Sequence, residues 1–446
     1  MPGVTLQAGL YALCKNRIAE DEEFKATAAY HNFDAVDDAL FDKYRLFQLQ
    51  RELRLVNEKS TFYKRRFMEC GVTPDLVQSL PDLARMPFTA PMDLADNSYR
   101  FLCTSQSYVE KPVTFYSSGS TGMKKRIFFS RADLQKILDF LPRGMNTVIG
   151  REECRAQVFL QNSQGRGISG ILAQSLRQFG MQAWTSNLAD DPEKIIALTL
   201  ENHVNVWFGE AITILRATRI LAKKIDLSKL GMQCIFITMT NIPDCMVEYL
   251  KKTWNCRVST HYGLTEMGWG LAVDCDRCDG YHYNELDVIA EVVDPASGEV
   301  LPAGESGEIV LTSIARDCMP LIRYRTEDIA TLRPCECGGH MELLGHIQRR
   351  REGTVSMNGR EIYPALFDEP IFGVEDVLDY RLLLREDRLR IEVETLRGGD
   401  EICREVAEAV MRVPELSGCK RPEVTALPCG ALRPYCFEKK RIQTET

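Results

Sequence analysis

Apolar and polar positions follow three textures along this chain. Over roughly the first hundred residues, apolar positions recur at helical spacing, as in DDALFDKYRLFQLQRELRLV (37–56), until the proline-bearing loop LPDLARMPFTAPMDL (80–94). This predicts a helical entry region. From Val113 onward, short β-rich runs alternate with amphipathic segments: AQVFLQ (156–161), MQAWTS (181–186), VNVWFG (204–209), CIFITM (234–239) and CRVSTHY (256–262). Such alternation predicts βαβ units and a mainly parallel sheet. Between 287 and 332 the texture changes to strands joined by turns, with Asp294-Pro295 and Ser297-Gly298 punctuating a hairpin. A compact α+β segment follows the basic run Gln348-Arg349-Arg350-Arg351. The reading is an α/β protein with a large domain at 1–350 and a small domain at 351–446. The large domain has the helical entry region, mainly parallel sheets and a small β-subdomain; the small one is a mobile α+β lid.

A chain of 446 residues exceeds one hydrophobic core and suits this division. Its 45% hydrophobic and 26% charged residues are those of a globular protein, and a net charge of −8 argues against a broad nucleic-acid surface. The amino terminus lacks the basic segment and cleavage pattern of a signal peptide. The apolar stretch 206–224 is broken by Glu210 and two arginines before it could cross a bilayer. A cytoplasmic protein without membrane contact is expected, its sixteen cysteines serving as thiols or metal ligands rather than a disulfide framework.

The run FYSSGSTGMKKR (115–126) sets hydroxyls and glycines before three cations. Backbone N–H groups and hydroxyls of such a loop can wrap phosphates, and the cations neutralise developing charge. Walker A spacing is absent. Gly165-Arg166-Gly167-Ile168-Ser169-Gly170 formally matches a dinucleotide fingerprint, but it is read as substrate lining or strand–helix packing.

The phosphate loop resembles that of the adenylate-forming superfamily of acyl-CoA ligases, luciferases and adenylation domains. Three further segments stand in that family's order. His261-Tyr262-Gly263-Leu264-Thr265-Glu266 is similar to its Y-G-x-T-E motif, Tyr324-Arg325-Thr326-Glu327-Asp328 to Y-R-T-G-D, and the segment ending in GREIYP (359–364) to its hinge. MPLIRYRTEDIATL and GREIYP resemble the phenylacetate-CoA ligase branch most, and the likeness runs from about 45 to 446.

The resemblance implies ATP-dependent joining of an aromatic or other organic acid to coenzyme A through an acyl-AMP, with Mg²⁺. It implies phosphate binding by Ser117, Ser118, Gly119, Ser120, Thr121, Gly122 and Lys125, adenine stacking by Tyr262, and α-phosphate binding by Thr265. Glu266 would hold magnesium, Asp328 the ribose hydroxyls, and Arg350 would assist at ribose or phosphate. Glu352 would be the hinge, and Lys439, preferred over Lys440, the lysine delivered by the small domain. Glu327 departs from the family's glycine and Glu352 from its aspartate. A different acceptor, or a nucleotide-binding homologue with reduced catalysis, remains as an alternative. Phe115, Tyr116, Trp207 and Phe208 are candidates for an aromatic or apolar acid pocket, although such residues more often fill a core. A small carboxylic acid, ATP and coenzyme A are the partners expected, with a homodimer among the expectations. Finally, Cys275 and Cys278, with Cys335 and Cys337, form C-x-x-C and C-x-C pairs that can supply four thiolates to a structural Zn²⁺.

Overall fold

The computed structural model describes residues 6–28, 35–116, 124–149, 153–160, 167–188, 190–238, 241–350, 354–432 and 442–444. The chain divides into two units, one built from 1–151 and 262–347, the other from 152–261 and 348–446. This division differs from the expected one at 350/351, since residues 152–261, read as part of the large domain 1–350, fall in the same unit as 348–446.

In the first unit the entry region is helical as the periodicity predicts. The helix Asp38–Lys59 starts at Asp37, whose carboxylate accepts the Leu40 amide, and ends at Ser60. Ser60 also starts the helix Thr61–Cys70, which stops at Gly71 in the left-handed conformation. The first helix buries Leu49, Leu53 and Val56, but also Glu52, on one face. Leu49, Leu53 and Val56 join Tyr63, Phe67 and Phe101 in a core shared with the strands Val288–Val293 and Ser306–Ser313. The antiparallel order is Val288–Val293, Ser306–Ser313, Tyr324–Pro334, Glu342–Leu344, Tyr281–Tyr283 and Ala272–Asp274. The predicted hairpin turn closes with the Gly298 amide on the Asp294 carbonyl at 2.9 Å, and Gly298 has φ 77°.

In the second unit the strands Gln182–Ser186, Arg155–Phe159, Val206–Glu210, Cys234–Thr238 and Arg257–Tyr262 are parallel neighbours in that order. Helices on the crossovers explain why the central strands read as nearly unbroken apolar runs. Trp207 stacks edge-on against Trp254 at 4.5 Å within this core. The last hundred residues form a four-stranded sheet in the order Glu423–Leu427, Arg388–Thr395, Val377–Arg385 and Ile442–Thr444, with helices Ala365–Phe372 and Asp400–Met411. One apolar cluster runs from Ile214 and Trp254 to Phe372, Val377 and Val393. Beside it Arg219 donates to the carbonyls of Phe372 and Val377, and Arg216 pairs with the buried Glu394. Among the described residues no helix is long and apolar enough to cross a membrane.

Glu52 gives this core a pH dependence. Its carboxylate accepts the Arg316 amide (3.1 and 3.2 Å) and the Ser313 hydroxyl (3.3 Å). Burial nevertheless pushes it from 4.5 up to about 8, against the lowering effect of the Arg316 amide and Lys136. Between those two values the folded chain holds a proton that the unfolded chain has released, so this group's contribution to stability falls as pH rises from about 4.5 to 8. Glu52→Gln keeps the carbonyl acceptor and removes the titration. Denaturation of parent and variant at pH 5, 6, 7 and 8 should show the variant with a shallower decline, the difference approaching about 1.4 kcal/mol per pH unit. Parallel curves would refute the assignment.

Candidate nucleotide and metal sites

The strand Arg257–Tyr262 ends at Tyr262, and a one-turn 3₁₀ helix, Thr265–Met267, follows. Its closure uses the Met267 amide on Leu264 (3.0 Å) and the Gly268 amide on Thr265 (3.2 Å). Gly268 (φ 93°) and Trp269 (φ 70°) then carry the chain through two successive left-handed residues. The turn presents Glu266, which is buried. Glu266 Oε1 accepts the Tyr324 hydroxyl at 2.7 Å, and Lys125 Nζ lies 3.5 Å from the same oxygen. Lys125 also donates to the Tyr324 hydroxyl at 3.2 Å. Burial and the neighbouring Glu266 carboxylate push the Tyr324 phenol well above its ordinary range, so it remains a proton donor.

Asp328 approaches from the strand Tyr324–Pro334. Opposite the single residue Ile309 of the facing strand stand three residues, Thr326, Glu327 and Asp328, because the register shifts between Glu308 and Val310. This bulge is pinned by the Thr326 hydroxyl on the Ile309 carbonyl (2.8 Å) and by the Glu327 amide on Glu308 (3.1 Å). Glu327 has φ 65°, the left-handed region in which glycine is unstrained, which gives a physical reason for the family's glycine at this place. The bulge turns Asp328 inward, fully buried, where it accepts the Tyr262 hydroxyl at 2.8 Å. Tyr262 is itself buried and stacks on Tyr281 at 6.3 Å.

The helical entry region holds this strand in place. Tyr63 Oη accepts the Ile322 amide (2.8 Å) and bonds the Thr89 hydroxyl (2.9 Å), and the Thr89 backbone exchanges hydrogen bonds with Arg323 and Arg325. Arg323 grips Glu291 with two bonds of 3.0 Å and donates to the carbonyls of Ala84 and Met86.

Thus Lys125, Glu266, Tyr262 and Asp328 stand on one connected stretch of the first unit, and Thr265 sits in the same turn. Arg350 lies half-buried in the strand Arg349–Arg350 of the second unit. The loop residues Ser117, Ser118, Gly119, Ser120, Thr121 and Gly122, the hinge residue Glu352 and the tail lysines Lys439 and Lys440 lie outside the described residues, as do Gly165 and Arg166. The tail is anchored on both sides of 433–441: Glu394 accepts the amides of Gly430 and Leu432, and Ile442 pairs with Leu382. Trp207, a candidate for the acid pocket, is instead fully buried, its indole N–H on Thr199 at 3.1 Å. Phe208 is buried against Phe236 and His261. Both are core.

The cysteine pairs do converge, with a partner that the spacing did not reveal. One ligand atom each from Cys275, His282, Cys335 and Cys337 lies within 4.8 Å of all the others. Cys275 and Cys335 sulfurs are 3.9 Å apart, and His282 Nε2 is 3.6 Å from Cys335 and 3.5 Å from Cys337. A tetrahedral zinc with Zn–S of about 2.3 Å and Zn–N of about 2.05 Å needs S···S of roughly 3.8 Å and N···S of roughly 3.6 Å. The donor set fits. His282 Nδ1 faces the Glu342 carbonyl at 3.3 Å, an acceptor that fixes the tautomer with Nε2 free to ligate. Cys278 stands beside Cys335 but outside this converging group. A histidine in YHY (281–283) has no spacing signature, so only folding could bring it forward. Tyr324 was visible merely as a motif letter, and Arg316, which donates to the Glu266 carbonyl, belongs to no motif.

No family model matches the chain. It is 27% identical over 354 residues to the phenylacetate-coenzyme A ligase of Pseudomonas putida, covering 77% of this chain and 79% of that protein. It is 26% identical over 384 residues to the enzyme of that name from Thermus thermophilus, covering 83% and 85%. For the one from Escherichia coli the figures are 24% over 419 residues, 90% and 94%. Among solved structures, 2-hydroxyisobutyryl-CoA ligase in the postadenylation state superimposes with a TM-score of 0.79 at 19% identity, covering 92% of this chain and 90% of that one. The same ligase in the thioesterification state gives 0.65 at 19% identity. The fold is that of adenylate-forming CoA ligases, and the resemblance to phenylacetate-CoA ligases extends over most of the chain.

Proposed function

We propose that this chain is an ATP-dependent carboxylate–CoA ligase of the phenylacetate-CoA ligase type. The observation that carries the reading is the buried pair of carboxylates, Glu266 and Asp328, brought together through Tyr324 and Tyr262 from two motifs some sixty residues apart. A substrate carboxylate oxygen attacks the α-phosphorus of ATP, forming the acyl-AMP anhydride as the bond to pyrophosphate breaks. The sulfur of coenzyme A then attacks the acyl carbon, and AMP leaves with the electrons of the carbon–oxygen bond. The chain binds and orients rather than forming covalent intermediates.

Asp328 accepts the ribose hydroxyls, as a buried acceptor-only group can. Thr265 and the hydroxyls and amides of Ser117–Gly122 bind phosphate oxygens, with Lys125 and Arg350 as cations. Tyr262 lines the adenine site. Glu266 is the carboxylate for Mg²⁺, which when bound neutralises phosphate charge during displacement. Glu352 is the hinge of a lid that alternates between half-reactions. An arylacetic or similar acid is the proposed substrate, and a compartment holding ATP and coenzyme A, the cytoplasm, the proposed location. Pyrophosphate release with a panel of acids, followed by assay for the CoA thioester, tests the reading; acid-dependent pyrophosphate release without a CoA product would sink the acceptor assignment.

Asp328→Ala should weaken AMP affinity about 10- to 100-fold, the worth of hydrogen bonds to a charged group. Glu266→Gln should lower kcat roughly 100-fold or more with a smaller effect on AMP affinity. Calorimetric titration with AMP beside pyrophosphate release separates the two, and parent-like behaviour of both variants refutes the roles.

The tail lysine acts, in this proposal, only while the acyl–phosphate bond forms. Lys439→Ala should slow pyrophosphate release about 100-fold and spare thioester formation from preformed acyl-AMP. If Lys440→Ala shows that split instead, the role moves by one residue; equal losses in both steps exclude it for either.

We further propose a structural Zn²⁺ on Cys275, His282, Cys335 and Cys337, with His282 rather than Cys278 completing the set. Metal analysis of untagged protein should find about one zinc per chain, retained in Cys278→Ser and depleted in His282→Ala. Zinc lost from Cys278→Ser and kept in His282→Ala would restore the four-cysteine set.

A further inference from the structure

We propose that Arg316 is a positioning residue for Glu266, acting through the turn that carries it. The inference rests on the reading that Glu266 holds the divalent metal of the nucleotide complex.

The Glu266 turn leaves its one-turn helix through Gly268 and Trp269, both with positive φ. For a tryptophan that conformation is strained and persists only where neighbours over-determine it. Two contacts do so here. Trp269 packs on Phe129 with ring centroids 4.9 Å apart. The Arg316 guanidinium lies 5.2 Å from the centroid of the same ring and donates through Nη1 to the backbone carbonyl of Glu266. The fit beneath Gly268 is close: a Cβ there would lie 2.8 Å from Ile137 Cδ1 and 3.7 Å from Arg316 Nη2. Arg316 and Phe129 therefore form the floor on which the turn sits.

The guanidinium is in turn aimed by its own backbone. Glu52 accepts the Arg316 amide, and Asp133 accepts the amides of Asp317 (2.8 Å) and Cys318 (3.2 Å) together with that of Ser130 (2.9 Å). Both groups are buried; Asp133 spends its oxygens on main-chain N–H groups, and Glu52 takes the Ser313 hydroxyl beside the Arg316 amide. The side chain of Arg316 is left to reach the Glu266 carbonyl. Glu266 is thus held at both ends, its peptide by Arg316 and its carboxylate by the Tyr324 hydroxyl with Lys125 beside the same oxygen. A metal ligand fixed at both ends needs little reordering when the metal–nucleotide complex arrives. Lysine in place of Arg316 keeps the charge but loses the planar fork that stacks on Phe129 while donating.

The test uses the full chain with Mn²⁺ as paramagnetic probe. Mn²⁺ binding to the complex with a non-hydrolysable ATP analogue is measured by electron paramagnetic resonance, and AMP binding without metal by calorimetry, for parent, Arg316→Gln, Arg316→Lys and Glu266→Gln. Arg316→Gln should weaken Mn²⁺ about tenfold while AMP affinity moves less than twofold, and Arg316→Lys should recover part of the loss. Where Arg316→Gln fails to fold, Arg316→Lys decides alone, with Mn²⁺ weakened at least threefold and AMP unchanged. Parallel loss of both ligands, or no loss of either, overturns the positioning role. If Glu266→Gln itself leaves Mn²⁺ binding unaltered, the metal assignment of Glu266 has failed rather than the role of Arg316.

Discussion

A carboxylate removed from water must be surrounded by donors, or the protein must neutralise it. That constraint organises the first unit. Glu266 and Asp328 are both buried, and each has a tyrosine hydroxyl aimed at it from another strand or turn. Tyrosine suits the task because its ring packs in the core while its hydroxyl remains an uncharged donor. The ring of Tyr324 lies in the same buried cluster as Tyr63 and Phe101 of the helical entry region, and the Tyr63 hydroxyl takes the Ile322 amide two residues before it. Asp133 meets the constraint by taking main-chain amides, whereas burial pushes Glu52 toward its neutral form despite the Arg316 amide.

The architecture was legible wherever hydrophobic period decided it. The predicted β-rich runs became the parallel strands of the second unit, and the turn residues around Asp294 and Gly298 closed the expected hairpin. Capping residues Asp37 and Ser60 fixed the helix ends. Of the candidate site, the residues legible in advance were those inside contiguous motifs: Lys125, Tyr262, Thr265, Glu266 and Asp328. What could not be read were groups whose role depends on a distant partner. His282 meets Cys335 and Cys337 across more than fifty residues, and Arg316 meets Glu266 across fifty. Trp207 could not be decided in advance, since an aromatic on a strand reads the same whether it lines a pocket or fills a core, and here it fills the core.

The cysteine cluster belongs to the same logic of holding one segment in place. Its ligands come from the turn after Ala272–Asp274, from Tyr281–Tyr283 and from the loop between Tyr324–Pro334 and Glu342–Leu344. These strands are neighbours in the antiparallel sheet, but Glu342–Leu344 meets Tyr281–Tyr283 through only a short ladder. A metal there would join the far end of the strand that carries Asp328 to the strand Tyr281–Tyr283, whose Tyr281 ring faces Tyr262. The proposed structural ion and the proposed nucleotide site would then share a strand, although they share no ligand.

Glu327 shows how far a site will depart from local preference. A left-handed glutamate costs on the order of 1 kcal/mol relative to glycine, and here it sits in the bulge immediately before the buried Asp328. Part of that cost is offset locally, because the Glu327 amide reaches Glu308, which the Arg325 guanidinium also engages at 3.0 Å. Arg325 is tied in turn to the Thr89 carbonyl and the Pro295 carbonyl. The strain at one residue is thereby distributed over contacts from the entry region and the hairpin, both legible in the sequence as structure alone. The strand can hold an unfavourable backbone because the residues on either side of Glu327 are fixed, Arg325 by the Thr89 and Pro295 carbonyls and Thr326 by the Ile309 carbonyl before it, and Asp328 by the Tyr262 hydroxyl after it.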